Sequence, residues 1–516
     1  MRGPRFLLAC LLSGCAAIFS GDAIAESVPQ KVAQIIPDQT LGTESSRAIF
    51  DVPVNEAAAD VIIGGATRGE NLFHSFSEFS IDSSERVFFF SPVGIDTILS
   101  RITGSDISNI NGVLGTAGES SATLILMNPN GVVFGENASL DVQGAFIVST
   151  SNDIQLGEAG LFSASNPESS NLLSVKPSAL FFSSLPAGGD IEVTSNDTEI
   201  STLQVSNGLP LRLLGRNVLI NGSRLIALDG AIEIAAVGEN GNISFGDDGG
   251  IVMNNQSQRG NIRLENSAVA DVRFNVGGEI RLLADDINIV SGSQLLAGVR
   301  SRLGVSDAQS RDILIDSTGT VVLSGLGTAI GNLAETNSLG NAGNIRITAD
   351  RLTVEEGAQL SASTFASGDA GDVVIRASDS VSFDGVSKDG QFGSAALSLS
   401  NTGATGASGI VTIDARSLSV TNGSQLNVST FSSGNAGDII IRADDAVNFE
   451  ADEDGSPGGS AFSRASLGST GSGGNITIRA NSLRVANGSQ LGSSTFGTSN
   501  AGNILIQTRE SVVFEG

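Results

Sequence analysis

Residues 343–365 read GNIRITADRLTVEEGAQLSASTF, and three short motifs within this stretch recur along the chain. Gly-Ala-Gln-Leu at Gly357 has Gly-Ser-Gln-Leu relatives at Gly292, Gly423 and Gly488, so neighbouring copies lie 65 or 66 residues apart. The same period separates the strand-opening glycines Gly278, Gly343, Gly409 and Gly474, a second set at Gly371, Gly437 and Gly502, and the Thr-Phe pairs at Phe365, Phe431 and Phe496. Four independent markers therefore indicate one internal repeat.

Between the markers, stretches such as Ile345-Arg346-Ile347 and Leu352-Thr353-Val354 alternate apolar and polar residues. Such stretches, bounded by Gly, Asn, Asp or Ser, are typical of short strands and turns. A fixed repeat of them predicts an all-β solenoid in which each coil covers the apolar face of the next. We predict about 22 residues per coil, so that three coils make one super-repeat of 65–66 residues, and we expect phenylalanines at equivalent positions to stack inside the core.

The composition leaves little for metal-dependent or histidine-based catalysis, because the 516 residues include one His and two Cys. Lys and Arg number 28 against 55 Asp and Glu, which gives a formal net charge of −27. This charge repels phosphate backbones and anionic lipid headgroups, so we expect no nucleic-acid partner. We also expect no cofactor and no bound metal.

The first 25 residues have the pattern of a signal peptide. Two arginines precede the apolar stretch 6–19, and Ala23-Ile24-Ala25 provides a small-x-small cleavage motif. We predict cleavage between Ala25 and Glu26, export across the inner membrane, and no transmembrane segment in the mature chain, since a spanning helix needs roughly 18–20 apolar residues. A lipoprotein signal, with Cys15 acylated, is the open alternative.

Asn128-Pro129-Asn130-Gly131 separates the apolar stretches 124–127 and 132–134. Asn followed by Pro, with Gly three places after the Asn, favours a type I β-turn, so this segment is predicted to be a hairpin or a coil corner. Other motifs accompany it in the same part of the chain: Asn71-Leu72-Phe73-His74-Ser75-Phe76, Arg101-Ile102-Thr103-Gly104, Ser108-Asn109-Ile110-Asn111-Gly112 and Ala138-Ser139-Leu140-Asp141-Val142-Gln143-Gly144.

Together these motifs resemble the filamentous haemagglutinin N-terminal domain, the haemagglutination-activity or secretion domain of two-partner secretion exoproteins, over roughly residues 40–160. The resemblance implies a right-handed parallel β-helix in a Gram-negative exoprotein. It also implies recognition by a dedicated outer-membrane β-barrel transporter with periplasmic POTRA domains. The product would be secreted or retained at the outer cell surface.

The resemblance also assigns a secretion motif. Asn128, Pro129, Asn130 and Gly131 match the family's second Asn-Pro-Asn turn, with Val132 where Ile is usual. The family's first such turn has no clean copy, and Pro92 in Ser91-Pro92-Val93-Gly94-Ile95 stands where it would be expected. The predicted transporter-recognition residues are therefore Asn71, His74, Pro92, Asn128, Pro129, Asn130 and Gly131. We interpret His74 as a packed or hydrogen-bonded structural residue, because no partner for general-base catalysis is visible.

The sequence thus suggests a signal peptide over 1–25, a secretion domain over 26–160, a transition segment over 161–190 and a β-helical stalk over 191–516. We predict a non-enzymatic adhesin or surface-interaction protein whose receptor is on a host cell or is a surface glycan. The repeats continue to Gly516 without an atypical capping segment, so we expect that the sequence is a fragment or has a cryptic cap.

Two alternatives stay open, a β-helical carbohydrate-active enzyme at the cell surface and a lipid-anchored surface protein. The enzyme would need paired carboxylates on one face, and Asp285-Asp286 and Asp444-Asp445 are the clearest pairs. Both pairs occupy the same phase of recurring strand ends, which favours turn chemistry. The acidic loop Asp452-Glu453-Asp454-Gly455 could hold calcium, but it lacks the spacing of a known calcium loop, and a solvated turn is favoured.

Overall fold

Three parallel β faces, wound in succession, make up the computed structural model. It describes residues 34–183, 189–196, 198–246, 248–254, 257–452 and 457–516, except the side chain of Asp307. The predicted signal peptide, its cleavage point before Glu26, and Cys15 lie outside the described residues, as does the 453–455 part of the acidic loop. Gln34–Gly516 forms one unit.

The first coils are built from thirteen strands and one short 3-10 helix, Gly42–Glu44. The strands are β1 (Ile35–Pro37), β2 (Ser46–Val54), β3 (Ala57–Gly64), β4 (Ala66–Arg68), β5 (Asn71–Phe79), β6 (Arg86–Ser91), β7 (Thr97–Ile102), β8 (Ser108–Ile110), β9 (Val113–Gly118), β10 (Thr123–Met127), β11 (Val132–Phe134), β12 (Ser139–Asp141) and β13 (Phe146–Ser149).

The middle coils carry insertions, and a 3-10 helix at Pro167–Ser169. Their strands are β14 (Asp153–Leu156), β15 (Gly160–Ser163), β16 (Pro177–Phe182), β17 (Ile191–Thr194), β18 (Thr202–Gln204), β19 (Pro210–Gly215), β20 (Val218–Asn221), β21 (Arg224–Ile226), β22 (Ala231–Ala236), β23 (Gly241–Phe245), β24 (Ile251–Met253), β25 (Ile262–Glu265), β26 (Val269–Asp271), β27 (Glu279–Ala284) and β28 (Ile287–Val290).

The repeat region is more regular and includes four long strands that bend once. Its strands are β29 (Gln294–Val299), β30 (Gly304–Gln309), β31 (Ile313–Ser317), β32 (Thr320–Ser324), β33 (Ala329–Ala334), β34 (Leu339–Asn341), β35 (Ile345–Glu355), β36 (Gln359–Ser361), β37 (Val373–Asp384), β38 (Ala395–Leu397), β39 (Val411–Ala415), β40 (Ser417–Thr421), β41 (Gln425–Asn427), β42 (Ile439–Ala443), β43 (Ala446–Glu450), β44 (Ser460–Ala465), β45 (Ile476–Val485), β46 (Gln490–Thr495) and β47 (Ile504–Phe514).

Each coil gives one strand, or half of a long strand, to each face in a fixed order. Face 1 runs through β5, β7, β10, β13, β19, β22, β27 and β31 to the first half of β35 and onward. Face 2 runs through β8, β11, β17, β20, β25, β28 and β32 to the second half of β35. Face 3 runs from β3 through β6, β9 and β12 to β46. The pairs that stack successive coils along these faces are parallel, so the predicted parallel β-helix is confirmed.

The alternating apolar and polar residues of the segment 343–365 explain this winding. Ile345, Ile347, Leu352, Val354 and Leu360 are all buried and belong to one continuous apolar core inside the coils. The polar residues between them point outward, because successive side chains of a strand leave from opposite sides. Inside this core, each coil therefore buries its apolar side chains against its own faces and its two neighbours.

The coil length is where the sequence prediction is wrong. Ile345 pairs with Val373, and Val373 pairs with Val411, so a shorter coil is followed by a longer one. The next pairings, of Val411 with Ile439 and of Ile439 with Ile476, repeat this alternation. One super-repeat is therefore two unequal coils, where three equal ones were predicted. Coils of the predicted length do occur near the start, where Leu124 pairs with Phe146.

A column of glycines explains why the sequence period predicted the wrong coil length. Gly343, Gly371, Gly409, Gly437, Gly474 and Gly502 follow one another at the same corner of successive coils, and a Cβ on Gly437 would lie 1.8 Å from the carbonyl oxygen of Gly409. The corner packs backbone directly on backbone, so only glycine fits there. The two glycine sets in the sequence are one structural position, seen in alternate coils.

The Thr-Phe pairs do not stack in the core as predicted. Phe365, Phe431 and Phe496 are 38%, 40% and 61% exposed. Single β-bridges connect Thr364, Ser400, Thr430 and Ala465 in successive coils, and Ala465 pairs with Thr495. Each phenylalanine follows one of the three threonines, so the rings occupy alternate coils at the outer end of face 3. The inward positions in these coils are filled mainly by Ile, Leu, Val and Ala, which pack along flat parallel faces.

Two features outside the regular coils complete the fold. The antiparallel hairpin β2–β3 and strand β1, which pairs antiparallel with β5, cover the first coil. A five-stranded sheet, in the order β15-β14-β16-β23-β24, is inserted at the corner between faces 1 and 2. It covers the outward side chains of face 1, including Phe73, Leu99 and Ile125, to form a second apolar cluster with Phe162 and Phe182. Of the predicted transition segment 161–190, residues 161–163 and 177–182 belong to strands of this sheet.

Candidate functional site

The Asn128–Gly131 segment forms the corner between faces 1 and 2 and is not a hairpin, because β10 and β11 pair with different strands of other coils. The Gly131 amide donates to the Asn128 carbonyl at 3.1 Å, which closes the predicted β-turn. The Asn130 amide donates to Asn128 Oδ1 at 3.0 Å, as expected for an Asx turn. Gly131 has a φ of 127°, which favours glycine.

The two asparagine side chains connect this turn to the preceding coil. Asn128 Nδ2 donates to the Asp106 carbonyl and to Ser108 Oγ, both at 3.0 Å. Asn130 Nδ2 donates to the Gly104 carbonyl at 2.8 Å. Three of the motifs singled out in the sequence, those at 101–104, 108–112 and 128–131, therefore meet at one corner. The first two motifs lie in one coil and the third lies in the next, since Arg101 pairs with Met127 and Ser108 pairs with Val132.

This corner is internal to the folded protein. Asn128 is fully buried, Pro129 and Gly131 are buried, and Asn130 is half-buried. Their polar groups bond within the corner, so the folded turn presents little surface to a partner. The turn therefore contributes to the stability of the folded domain.

Asn71 and His74 lie on β5 in face 1 and are also buried. Asn71 Nδ2 donates to the carbonyls of Leu173 and Val175, which fixes the loop before β16. His74 Nδ1 lies 3.0 Å from Ser46 Oγ, whereas Nε2 is buried without a hydrogen-bond partner. Burial lowers the pKa of His74 to about 3, so the ring is neutral near neutral pH. His74 is thus packed and hydrogen-bonded, as interpreted from the sequence.

Pro92 occupies a different environment. It is exposed and opens a turn between β6 and β7, in which the Ile95 amide donates to the Pro92 carbonyl at 3.3 Å. Gly94 has a φ of 84° within this turn. Pro92 lies at the corner between faces 3 and 1, near the Asn71 end of face 1, and Asn128 follows the opposite end. The structure therefore does not bring the predicted recognition residues into one surface.

A buried polar cluster near this region was not predicted. Arg101 is fully buried; its Nε donates to Ser75 Oγ at 2.9 Å and its Nη2 to Thr40 Oγ1 at 2.8 Å. Asp38 accepts hydrogen bonds from the same two hydroxyls, at 2.7 Å and 2.6 Å. Two hydroxyls thus connect the guanidinium with the carboxylate. Arg101 Nη1 also donates to the Ser163 carbonyl of the inserted sheet, at 2.6 Å.

Hydrogen bonds stabilise the charged groups of this cluster. Burial alone would raise the pKa of the Asp38 carboxyl, but the bonds from Thr40, Thr103 and Ser75 hold it below its usual range. Burial lowers the pKa of Arg101 to about 10, against the opposing effect of Asp38 and Glu168. The cluster joins the N-terminal segment, face 1 and the inserted sheet. The Arg101-Ile102-Thr103 motif marked one part of it, but nothing in the sequence connected that motif to Asp38.

The carboxylates of Asp285-Asp286 and the backbone of Asp445 make hydrogen bonds at turns. Asp285 Oδ1 accepts from Thr318 Oγ1 at 2.6 Å, and Asp286 Oδ1 accepts from the Thr320 amide at 2.8 Å, both on the next coil. The amide of Asp445 donates to the Arg416 carbonyl at 2.8 Å. These contacts support the turn interpretation. Across the part of the chain that the structure describes, no group of three or more His, Cys, Asp or Glu is placed to hold a metal ion.

A family model described as the TPS secretion domain matches residues 33–282. Residues 33–282 form a TPS secretion domain. This match contains the hairpin cap, the Asn128–Gly131 corner, the Arg101 cluster and the whole inserted sheet. It extends beyond residue 160, where the sequence motifs alone end. A TPS secretion domain indicates a two-partner secretion exoprotein and implies a cognate outer-membrane transporter.

Solved structures of secretion domains are similar to this chain. The alignment with the HMW1 secretion domain from Haemophilus influenzae has 17% identity, covers 90% of this chain and 98% of that one, and has a TM-score of 0.46. The filamentous hemagglutinin secretion domain shows 13% identity, coverage of 66% and 97%, and a TM-score of 0.33. No curated protein matches the sequence. Within the described residues, no helix has the length and apolar character needed to cross a membrane.

Proposed function

We propose that this protein is an adhesin or surface-interaction protein that reaches the cell exterior through a dedicated β-barrel transporter with periplasmic POTRA domains. The TPS secretion domain over residues 33–282 is the observation that carries this proposal. A signal peptide over 1–25 would first bring the chain to the periplasm. The transporter would then bind the secretion domain, proposed from the motifs to lie within 26–160, and the repeats from 191 would form the stalk.

The burial of the proposed recognition motif restricts how it could act. The side chain of Asn128 is fully buried once the corner has formed, so a transporter would have to bind the segment around Asn128, Pro129 and Asn130 before the coil closes. Asn71 and His74 are buried in the same way. Pro92 is exposed in the folded domain. We therefore propose that recognition precedes folding of this domain.

Folding outside the cell would favour release. Each emerging coil can bury its apolar residues on the coil before it, because the stabilising contacts in a solenoid are between nearest neighbours. This burial would favour outward movement of the chain without nucleotide hydrolysis. Both cysteines, Cys10 and Cys15, lie within the proposed signal peptide, so the exported chain would cross the transporter without disulfides.

Export provides the test. The full chain is expressed in a Gram-negative host with or without its transporter, and the protein in the medium and at the cell surface is measured. We expect export to require the transporter and to fall at least tenfold in an Asn128→Ala/Asn130→Ala variant. We also expect the exported chain to begin at Glu26; a mass that corresponds to an acylated Cys15 would support the lipid anchor.

The matched control is Asn332→Ala, in the stalk. Asn332 is also fully buried, donates to the Arg311 carbonyl at 2.8 Å and accepts from the Gly343 amide at 3.0 Å. Its loss should disturb local folding to a similar extent but leave export intact. Export that continues without the transporter, or that falls equally in both variants, would contradict the proposal. Adhesion is tested separately, by the binding of exported protein to cells.

A further inference from the structure

A long groove runs across the coils of the repeat region, at the corner between faces 1 and 2. Its volume is about 820 Å³. The floor consists of small residues at the same position of successive coils: Ala349, Ala377, Ala415, Ala443 and Ala480. These side chains point into the core, so the wall of the solenoid dips inward there. A larger inward residue would push the corner outward and make the groove shallower.

One bank of the groove is a register of stacked polar residues. The strand pairings place Thr348, Arg376, Asp414, Arg442, Arg479 and Gln507 directly beside one another in successive coils. With roughly 4.8 Å between neighbouring strands, the five steps span about 24 Å. Arg416, Asp444 and Arg509 lie on the opposite bank. The groove is therefore long and open, a shape that suits an extended chain.

The charge of the groove is opposite to that of the whole protein. Five arginines and two aspartates line it, although the chain contains 28 basic and 55 acidic residues. Arg442 pairs with Asp414 at 2.9 Å, and Arg479 Nε donates to Gln507 at 2.8 Å. Arg376 and Arg509 are exposed and have no ion-pair or hydrogen-bond partner among the described residues. Two arginines are thus available to bind an anion.

The chemistry of the banks indicates the kind of anion. A guanidinium can hold a carboxylate with two parallel hydrogen bonds. Asp414, Gln507 and Thr348 lie in the same row and would accept from, or donate to, hydroxyl groups. The two aspartates oppose a densely charged polymer, and duplex DNA has one charge per about 1.7 Å. The row suits a ligand with scattered carboxylates and many hydroxyls.

We infer that this groove binds a linear polysaccharide that carries carboxylates, such as a uronic-acid polymer. Arg376 and Arg509 would hold carboxylates, and the row from Thr348 to Gln507 would contact sugar hydroxyls. The biological meaning of this site rests on the proposed adhesive function, for which it names the ligand. The binding itself does not depend on export, because the site lies in the folded stalk.

The test uses the purified full chain and isothermal titration with an oligogalacturonate. The same oligomer with its carboxylates converted to methyl esters is the matched neutral probe. We expect saturable binding of the free acid, at least tenfold weaker binding of the ester, and weaker binding of the acid at high salt. An Arg376→Gln/Arg509→Gln variant should bind the acid at least tenfold more weakly, with an unchanged urea unfolding midpoint.

A second double variant, Arg224→Gln/Arg302→Gln, removes the same charge outside the groove. Both residues are exposed, and we expect its affinity to stay within twofold of the original. The inference is overturned if the acid does not bind saturably, if both double variants lose affinity equally, or if single-stranded DNA or dextran sulfate binds more tightly than the oligogalacturonate. The export assay would be unaffected by these results, so the two proposals can fail separately.

Discussion

At the scale of the residue, the burial of His74 makes the stability of the capping hairpin depend on pH. Its imidazole contacts the rings of Phe76 and Phe89, with centroid distances of 6.3 Å and 5.3 Å. It hydrogen-bonds through Nδ1 to Ser46 of the capping hairpin, while Nε2 has no partner. A proton on this ring would place a charge in an apolar environment. The neutral form is therefore the one that the folded cap accommodates.

We predict that the cap loses stability as the pH falls from 7.5 to 5.5. The folded-state pKa of His74 is about 3, below the ordinary value of 6.5. At a pH between these two pKa values, the unfolded chain therefore binds more protons than the folded chain. The histidine contribution to stability is complete above pH 6.5 and is lost as the pH falls. Linkage gives a loss of about 1.4 kcal/mol at pH 5.5. Urea unfolding at three pH values measures it.

A His74→Gln variant is the control for this pH effect, because the amide keeps donor and acceptor atoms but does not titrate. His74 is the only histidine in the chain, and side-chain carboxyls titrate mostly below this range. The variant should be less stable at pH 7.5 but should show little change down to pH 5.5. An unchanged pH dependence in the variant would show that His74 is not the cause.

Residue chemistry was partly predictable for the candidate site. Asn-Pro-Asn-Gly predicted a turn at 128–131 because proline fixes one backbone angle and asparagine bonds its own backbone, and the turn is present. The partners of Asn128 and Asn130 could not be predicted, because they depend on the coil register. The Arg101–Asp38 cluster was missed for the same reason: the two residues are far apart in the sequence and are connected through the hydroxyls of Ser75 and Thr40.

At the scale of the element, the repeats predicted the strands and the turns but not the length of a coil. In the sequence, the Gly343 and Gly371 markers belong to two separate sets, although they occupy one column in the structure. Sequence spacing alone cannot distinguish two unequal coils from three equal ones. The inserted sheet was also not predicted, because its strands β14 to β16 have the same alternation as coil strands and differ only in their partners.

The glycine column predicts one sensitive position. A Cβ on Gly437 would lie 1.8 Å from the carbonyl oxygen of Gly409, and neither backbone can move without breaking the pairing of its coil. We expect Gly437→Ala to lower the free energy of unfolding by about 3 kcal/mol, at the upper end of the usual cost of overpacking. Urea unfolding and limited proteolysis around the column would measure the change.

Gly331→Ala is the matched control for the glycine column. Gly331 is also buried, but its added Cβ would meet only side-chain atoms, at 3.8 Å, and its φ is not positive. This variant should change stability by less than about 1 kcal/mol, since it mainly restricts the unfolded chain. Equal destabilisation by the two alanines would show that backbone contact at the column is not the cause.

At the scale of the whole molecule, the core is continuous from the first coil to the last described ones. Each coil pairs only with the coils before and after it, so stability is close to a sum of coil and neighbour terms. Changes that preserve a whole coil should therefore be tolerated. Changes that shift the register should not, because every later strand would meet the wrong partner.

Two deletions would test this arrangement and the coil length together. The first removes the segment 343–370, which is one whole coil of the shorter kind. It joins Ala342 to Gly371 and lets Val373 take the place of Ile345 beside Ile313, since Val373 and Ile345 occupy the same position in successive coils. We expect this chain to stay folded, with its strand content and protease resistance nearly unchanged.

The second deletion removes the segment 343–364, which has the coil length predicted from the sequence. It joins Ala342 to Phe365. The glycine of the corner column and the next face 1 strand then lie further along the chain than the corner requires. That chain should be cleaved readily at the junction, because the glycine column and the core positions are out of register there. If this deletion were the better tolerated of the two, three equal coils would describe the super-repeat after all.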